Sequence, residues 1–248
     1  SDFAGSTIVH ACGGAAALAG VIVLGAREGR FGKKGETKSL VPFAASSIPL
    51  VTLGTFFLWF GWFGFNGFSQ LAMGTFDDVT AITKIAVNTH LAGAAGVVTG
   101  AAVTRLLDKK TDVVMMLNGA LAGLVAITAE PLTPSPLAAM LIGSIGSIIM
   151  YFGTKMLEGF GLDDVVGAIP VHMFAGIFGT LVVPFTNGDT SFGTQFVGTL
   201  SVVLFSFVLS YAVFIAMKAT IGLRISKAAE KLGTDKAEIG VVAYSIRD

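Results

Sequence analysis

The sequence predicts an all-α, polytopic membrane protein, and three observations support this fold class. Of the 248 residues, 53% are hydrophobic and 13% are charged, and the mean hydropathy is +0.79. A soluble domain carries about 25% charged residues, so this composition excludes an ordinary soluble fold. Seven long apolar stretches also follow one another, and one motif occurs twice, five stretches apart.

Each of the seven apolar stretches is long enough to cross a hydrocarbon core as a helix, which takes roughly 20 residues. They cover residues 3–26, 41–68, 79–107, 113–129, 136–157, 165–185 and 192–223. The segments between them carry charge, glycine or proline, which end helices. We therefore expect seven transmembrane helices and a domain that spans residues 1–223.

The distribution of Lys and Arg predicts the orientation of these helices. Basic residues collect in the first, third and fifth breaks and after the last stretch, and Lys84 is the exception. Because Lys and Arg favour the cytoplasmic side of a multi-pass protein, Ser1 is predicted outside and Asp248 in the cytosol. Residues 224–248 then form a cytosolic tail, and the protein is expected in the plasma membrane.

The repeated motif lies in the first and sixth stretches. Residues 2–14 read DFAGSTIVHACGG and residues 164–176 read DVVGAIPVHMFAG, with Asp, Gly, Val, His and Gly at matching positions. The two stretches run in opposite directions, so the copies are related by inversion in the membrane plane. The repeating unit is then five spans long, and we expect about four further spans before Ser1.

The inversion predicts that two histidines meet inside the membrane. At 1.5 Å per helical residue, His10 and His172 each lie roughly 12 Å past their leading aspartate, from opposite sides. In a core of about 30 Å, both rings reach a similar depth near the midplane. A lone intramembrane histidine is often a packed side chain, but a matched pair favours function. His90 has no repeat partner and is interpreted as a helix contact.

Several motifs resemble those of the ammonium transporter family, which includes the Mep and Rhesus branches. Residues 2–10 resemble its fifth span, residues 61–66 with Ser69 its sixth, and residues 87–89 and 118–125 the next two. Asp163, Asp164, His172 and the sequence Gly-Leu-Arg at 222–224 complete the resemblance. It runs through the whole chain and corresponds to spans five to eleven of eleven.

The resemblance implies a homotrimer in which each subunit holds its own apolar pore for ammonium or ammonia. It implies that His10 and His172 are a twin pair at the pore centre and that Phe65 is one ring of an outer gate. It assigns Trp62 and Ser69 to an outer recruitment site, and Asp2 to an aspartate that shapes this site. Ser69 could equally be a hydrogen-bonding residue at a helix end.

The tail carries a further implication of the resemblance. Gly233, Asp235, Gly240 and the pair Ala243 and Tyr244 stand at the spacing of the family's regulatory tail, which in many members accompanies docking of a PII signal protein. Leu232, Ile239 and Val241 depart from the residues common there.

Two functions of different classes follow from these observations. The first is transport of ammonium or ammonia, and the alternative is an ammonium-sensing membrane receptor with the same fold and little flux. A channel for another small neutral solute is a third option. No enzymatic activity, metal or cofactor is expected, membrane lipid is the expected surroundings, and the net charge of zero gives no reason to expect a nucleic-acid partner.

Overall fold

The structure is a computed structural model that describes residues 1–32 and 43–243, and most of the described residues lie in helices. We number the helices in chain order: α1 is Ser6–Leu24, α2 Ile48–Gly67, α3 Phe76–Leu107, α4 Val113–Ile127, α5 Pro136–Gly159, α6 Ile169–Phe185, α7 Phe192–Thr220 and α8 Lys227–Leu232. A short turn, Asp235–Ile239, follows α8. The predicted all-α fold is confirmed.

Local sequence signals set where most helices begin. A side-chain oxygen at the N-cap accepts a backbone N–H of the first turn, which satisfies one of the donors that a helix start leaves unpaired. Helix α3 has a full capping box, in which Thr75 and Asp78 bind each other's backbone N–H groups. Single caps begin the other helices of this kind: Ser47 (α2), Asp112 (α4), Ser135 (α5), Ser191 (α7) and Ser226 (α8).

The helix ends differ from the predicted spans by several residues. The third span starts at Phe76 rather than at residue 79 because of its capping box. The sixth starts at Ile169 rather than at residue 165, since Gly167 has a φ of +78° that a helix cannot continue through. Parts of the prediction lie outside the described residues: the start of the second span at 41–42, and Lys33, Lys34, Lys38, Tyr244 and Arg247.

Among the described residues, five helices are long and apolar enough to cross a membrane. They are α1, α3, α5, α7, and α2 extended to Gln70. The other two apolar helices, α4 and α6, are shorter, and the 15 residues of α4 span about 22 Å at 1.5 Å per residue. The chain is therefore a multi-pass membrane protein, whereas a count of seven full spans stays a prediction.

Contacts between helices show that their directions alternate along the chain. Ala92 of α3 lies against Gly123 of α4, and Gly96 lies against Gly119, so α3 and α4 are antiparallel. Thr7 contacts Thr199 near the starts of α1 and α7, and Val23 contacts Lys218 near their ends. Helices α1 and α7 are therefore parallel. This alternation is the one expected when each connection returns the chain across a membrane.

Small residues bring α3, α4 and α5 into backbone contact. A methyl group added to Gly96 would overlap the carbonyl oxygen of Gly119, and one added to Gly123 or Gly143 would overlap the carbonyl of Ala92. Membrane helices associate through such close approaches because lipid supplies little hydrophobic driving force between them. These three helices form the dense part of the core beside the candidate site.

We expect Gly96→Ala to destabilise the folded protein by about 1–3 kcal/mol, because the added methyl forces α3 and α4 apart. Thermal unfolding in detergent, followed by circular dichroism, measures the change. The matched control is Gly198→Ala in α7, where an added methyl meets nothing among the described residues within 4 Å. Equal melting temperatures for the two variants would contradict the packing described.

Candidate functional site at the histidine pair

The two copies of the motif adopt the same local structure. Gly5 and Gly167 both have positive φ angles, +109° and +78°, and each precedes a wide helical turn, Ser6–Ala11 and Ile169–Phe174. Wide turns of this kind occur frequently at functional sites. Asp2 accepts the backbone N–H groups of Thr7 and Ile8, and Asp164 accepts those of Gly167, Ala168 and Ile169. Each aspartate therefore caps the turn that carries its histidine.

The two copies also pack against each other through equivalent residues. A methyl group on Gly14 would overlap Met173, and one on Gly176 would overlap the backbone of Ser6 and Ala11. Ala11 and Met173 occupy the same position in the two copies, so the two contacts are related by the inversion. The helices that carry the histidines are thus antiparallel and in backbone contact.

The rings of His10 and His172 lie side by side at this crossing. Their Nδ1 atoms are 3.2 Å apart, and the ring planes are 17° from parallel with centroids 5.2 Å apart. One Nδ1 must donate and the other accept, so the two rings hold opposite tautomers at these atoms. The second ring nitrogen of His10, Nε2, is buried and has no partner among the described residues.

Aromatic side chains from α2 cover His10. The indole of Trp62 stacks on the imidazole with centroids 5.0 Å apart and planes 15° from parallel, and only 6% of Trp62 is exposed. The ring of Phe65 lies 5.6 Å from that of His10 and meets Trp62 edge-on. The structure thus brings together four of the residues that the sequence singles out: His10, His172, Trp62 and Phe65.

Two predicted site residues lie further from the histidine rings. The hydroxyl of Ser69 donates to the carbonyl of Phe65 at 2.7 Å, which is the helix-end hydrogen bond considered as its alternative role. Asp2 is partly buried and binds backbone N–H groups. The recruitment roles of Trp62 and Ser69 stay predictions, and the structure places the buried indole of Trp62 directly against His10.

A buried polar cluster behind Trp62 is absent from the predicted site. Trp62 Nε1 donates to Thr128 Oγ1 at 2.8 Å, and Thr128 Oγ1 lies 3.2 Å from Asn66 Oδ1. Asn66 Nδ2 donates to Thr89 Oγ1 at 2.9 Å. Asn66, Thr89 and Thr128 are fully buried. Their polarity within apolar helices was a signal that could have identified them, because hydrogen-bonding side chains in a membrane seek each other.

Ion pairs join α1 and α6, the helices that carry the two motif copies. They lie just beyond the helix ends that are predicted to face the cytosol. Arg27, after α1, binds Asp163 with its side chain at 2.7 Å and with its backbone N–H at 2.9 Å. Arg30 reaches Asp163 at 3.4 Å and Glu158 at 2.8 Å. Burial acts to raise the pKa of the Asp163 carboxyl, but the Arg27 hydrogen bonds and the charges of Arg27 and Arg30 together hold it below its usual value.

The same end of α1 contacts the tail. Glu230 of α8 pairs with Arg224 at 2.9 Å and accepts the backbone N–H of Glu28 at 2.7 Å. Lys218 and Arg224 donate to the carbonyls of Val23 and Leu24, where cations offset the negative end of the α1 dipole. The start of the tail is therefore attached to the helix that carries His10.

The fold and the site define a class: a multi-pass helical membrane protein in which two inverted motifs bring a pair of histidines together inside the membrane. Residues 1–244 match the Ammonium Transporter Family. The chain belongs to this family, as its motifs predicted.

Curated relatives cover nearly all of the chain. It is 40% identical to ammonium transporter Amt2 of Archaeoglobus fulgidus, over 98% of this chain and 55% of that protein. It is also 40% identical to a putative ammonium transporter of Synechocystis, over 96% of this chain and 54% of that protein. The chain thus spans about half the length of the curated relatives it matches.

Solved structures share the fold. A structure described as a sensor Amt protein superposes with a TM-score of 0.87 and 34% identity, over 96% of this chain and 60% of that one. Mep2 of Candida albicans superposes with a TM-score of 0.81 and 29% identity, over 96% of this chain and 55% of that one. Both matches support the inverted-repeat architecture.

We expect the ion pairs of Asp163 to make stability depend on pH. Because the folded state lowers this pKa, the carboxylate contributes stability above about pH 4, its unfolded value, and that contribution is lost as the pH falls through the folded pKa. Asp163→Asn should lower the melting temperature in detergent at pH 7, and the difference from wild type should shrink below about pH 4.

Asp189 is exposed, so Asp189→Asn serves as the control for this pH dependence. We expect it to leave the melting curve unchanged at pH 3 and at pH 7. A difference between wild type and Asp163→Asn that is the same at pH 3 and pH 7 would contradict the role given to the charge of Asp163.

Proposed function

We propose that the protein transports ammonium across the membrane through a pore whose centre is the pair His10 and His172. The observation that carries the proposal is the 3.2 Å contact between the two Nδ1 atoms, made by inverted copies of one motif. Ionisable groups held at membrane depth are functional by default. The ammonium transporters among the relatives support ammonium as the substrate.

The chemistry of the pair suits a substrate that sheds a proton. Carrying an intact ammonium ion through an apolar passage is costly, whereas neutral ammonia crosses with a small desolvation cost. Only one of the two Nδ1 atoms in the contact carries a proton. The two rings can therefore exchange donor and acceptor roles, and a proton can pass from one ring to the other. The buried Nε2 of His10 is then the atom that meets the ammonia molecule.

Aromatic rings on one side of the pair fit the capture of a cation. A ring face attracts a cation by about 0.5–2 kcal/mol, depending on how far it is desolvated. Phe65, with 39% of its surface exposed, is proposed as a gate ring on the outer side of His10. Trp62 and Ser69 are proposed to serve ammonium on the same side, and Asp2 to hold the turn before His10 in shape.

The proposed assembly and location follow from the family and from the charges. We propose a homotrimer in the plasma membrane, a bacterial inner membrane, surrounded by lipid and with one pore in each subunit. The basic residues near Arg27, Arg105 and Arg224 support a cytosolic tail from residue 224 and an external Ser1. The tail is then the proposed docking place of a PII signal protein.

We expect His172→Ala, made in the gene that encodes this chain, to lower methylammonium uptake about tenfold or more. The change removes one of the two rings between which the proton is proposed to pass, and a tenfold fall in rate corresponds to about 1.4 kcal/mol in the barrier. Uptake of labelled methylammonium by cells, normalised to the amount of folded protein, is the measurement.

The matched control for this experiment is His90→Ala, because His90 is the third histidine and it contacts Trp59 and Phe63 rather than the pair. Its uptake should stay close to that of wild type. Wild-type uptake and wild-type selectivity in His172→Ala would refute the proposed pore.

The likeness to a sensor Amt protein supports a second candidate, an ammonium-sensing receptor in which the same site binds ammonium with little flux. The sequence of the gene beyond Asp248 separates the two functions, since a signalling domain there favours the sensor. In liposomes, the transporter predicts methylammonium flux that His172→Ala removes, and the sensor predicts ammonium binding with flux near that of empty vesicles.

A further inference from the structure

The orientation of Trp62 over His10 has an identifiable support. The indole Nε1 donates to Thr128 Oγ1 at 2.8 Å, and the hydroxyl of Thr128 lies 2.7 Å from the carbonyl of Leu124. The hydroxyl has one hydrogen, which it donates to the carbonyl of Leu124 or to Asn66 Oδ1. Its oxygen can therefore accept the indole N–H only from a limited range of directions. The acceptor, and with it the plane of the indole, is fixed by the end of α4.

Thr128 is also attached to the helix on the other side of the stacked rings. Its backbone carbonyl accepts the N–H of Ala4 at 3.0 Å, and the carbonyl of Ala129 accepts that of Phe3 at 2.7 Å. Residues 3 and 4 lead directly into the turn that carries His10. One residue thus holds both partners of the stack, Trp62 by its side chain and the approach to His10 by its backbone.

The remaining members of the cluster hold Thr128 and α2 in register. Asn66 lies one helical turn after Trp62 and bridges Thr128 of α4 to Thr89 of α3, and all three side chains are fully buried. A buried donor without an acceptor costs more than a hydrogen bond contributes, so the cluster permits few alternative arrangements. It therefore fixes how α2, α3 and α4 are rotated beside the histidine pair.

We propose that Thr128 is a positioning residue that sets the stacking of Trp62 on His10, and thereby which small amines pass the histidine pair. The inference deepens the proposed transport function and rests on it. The indole covers one face of His10 while His172 binds the same ring at Nδ1, so a turn of the indole changes the space beside that ring. Methylammonium, which is larger than ammonium by one methyl group, is the substrate most sensitive to this space.

The test compares Thr128→Val, Thr128→Ser and wild type in the gene that encodes this chain. Valine has the shape of threonine without its hydroxyl, and it keeps the backbone contacts to Ala4. We expect Thr128→Val to change the ratio of ammonium to methylammonium uptake about tenfold, since the buried indole N–H loses its acceptor, and Thr128→Ser to restore it. A purely structural role would lower both uptakes together and leave the ratio unchanged.

The matched control is Thr55→Val in α2, whose buried hydroxyl binds, among the described residues, only the carbonyl of Val51 in its own helix. It should keep the wild-type ratio. Should Thr128→Val yield no folded protein, Thr89→Val removes the far end of the cluster, and we expect a smaller change in the ratio in the same direction. A wild-type ratio in every folded variant of the cluster would overturn the proposal.

A structural measurement separates this inference from the proposed transport function. A cryo-electron microscopy structure of Thr128→Val should show the indole turned from its 15° stack on His10, whether or not the protein carries flux. An unchanged stack overturns the positioning role while leaving the histidine pore intact. Absence of flux in wild type together with a turned indole overturns transport and supports the positioning role.

Discussion

The contact between His10 and His172 constrains how the helices that surround it can pack. A polar ring inside a membrane must find its partner within the protein, because lipid offers no hydrogen bonds. Each imidazole finds the other at 3.2 Å, and this distance requires that the two helices cross with their backbones touching. Gly14 and Gly176 allow that crossing, since a methyl group at either position would overlap the opposite helix.

The helices around the crossing serve the same contact from a greater distance. Helix α2 places Trp62 and Phe65 on the His10 ring, and α4 supplies the hydroxyl that holds the indole. Small residues let α3, α4 and α5 approach closely enough for this cluster to be fully buried. Trp62, Thr128, Asn66 and Thr89 are therefore paired in a connected set, and a change in one member is transmitted to the next.

The ends of the motif helices are held by charge rather than by packing. On one side Asp2 and on the other Asp164 bind the backbone N–H groups of the histidine turns. Beyond Asp164, the pairs of Asp163 with Arg27 and of Glu230 with Arg224 join α1, the loop before α6 and the tail. Among the described residues, these ion pairs lie beyond the ends of α1 and α6, and the Asp163 side chain within them is only 2% exposed.

Much of the site could be predicted from the sequence because its signals are local or repeated. The composition indicated the membrane class, the predicted starts of α4 and α5 agree with the structure, and the two motif copies indicated that His10 and His172 belong together. Asp163 shows the limit of such inference. By position it reads as a helix cap like Asp164, yet it binds Arg27, 136 residues earlier in the chain.

Which polar groups meet across helices depends on how the helices pack. Trp62 and Thr128 are 66 residues apart, and the sequence holds no periodicity that relates them. Their hydrogen bond depends on how α2 and α4 are rotated about their axes, which is set by the packing of small residues against whole backbones. A cap is determined within three or four residues, whereas a rotation of this kind is determined by every helix that surrounds it. The residues alone thus indicate the class of protein, the repeat and the histidine pair, whereas helix packing sets which side chains surround that pair.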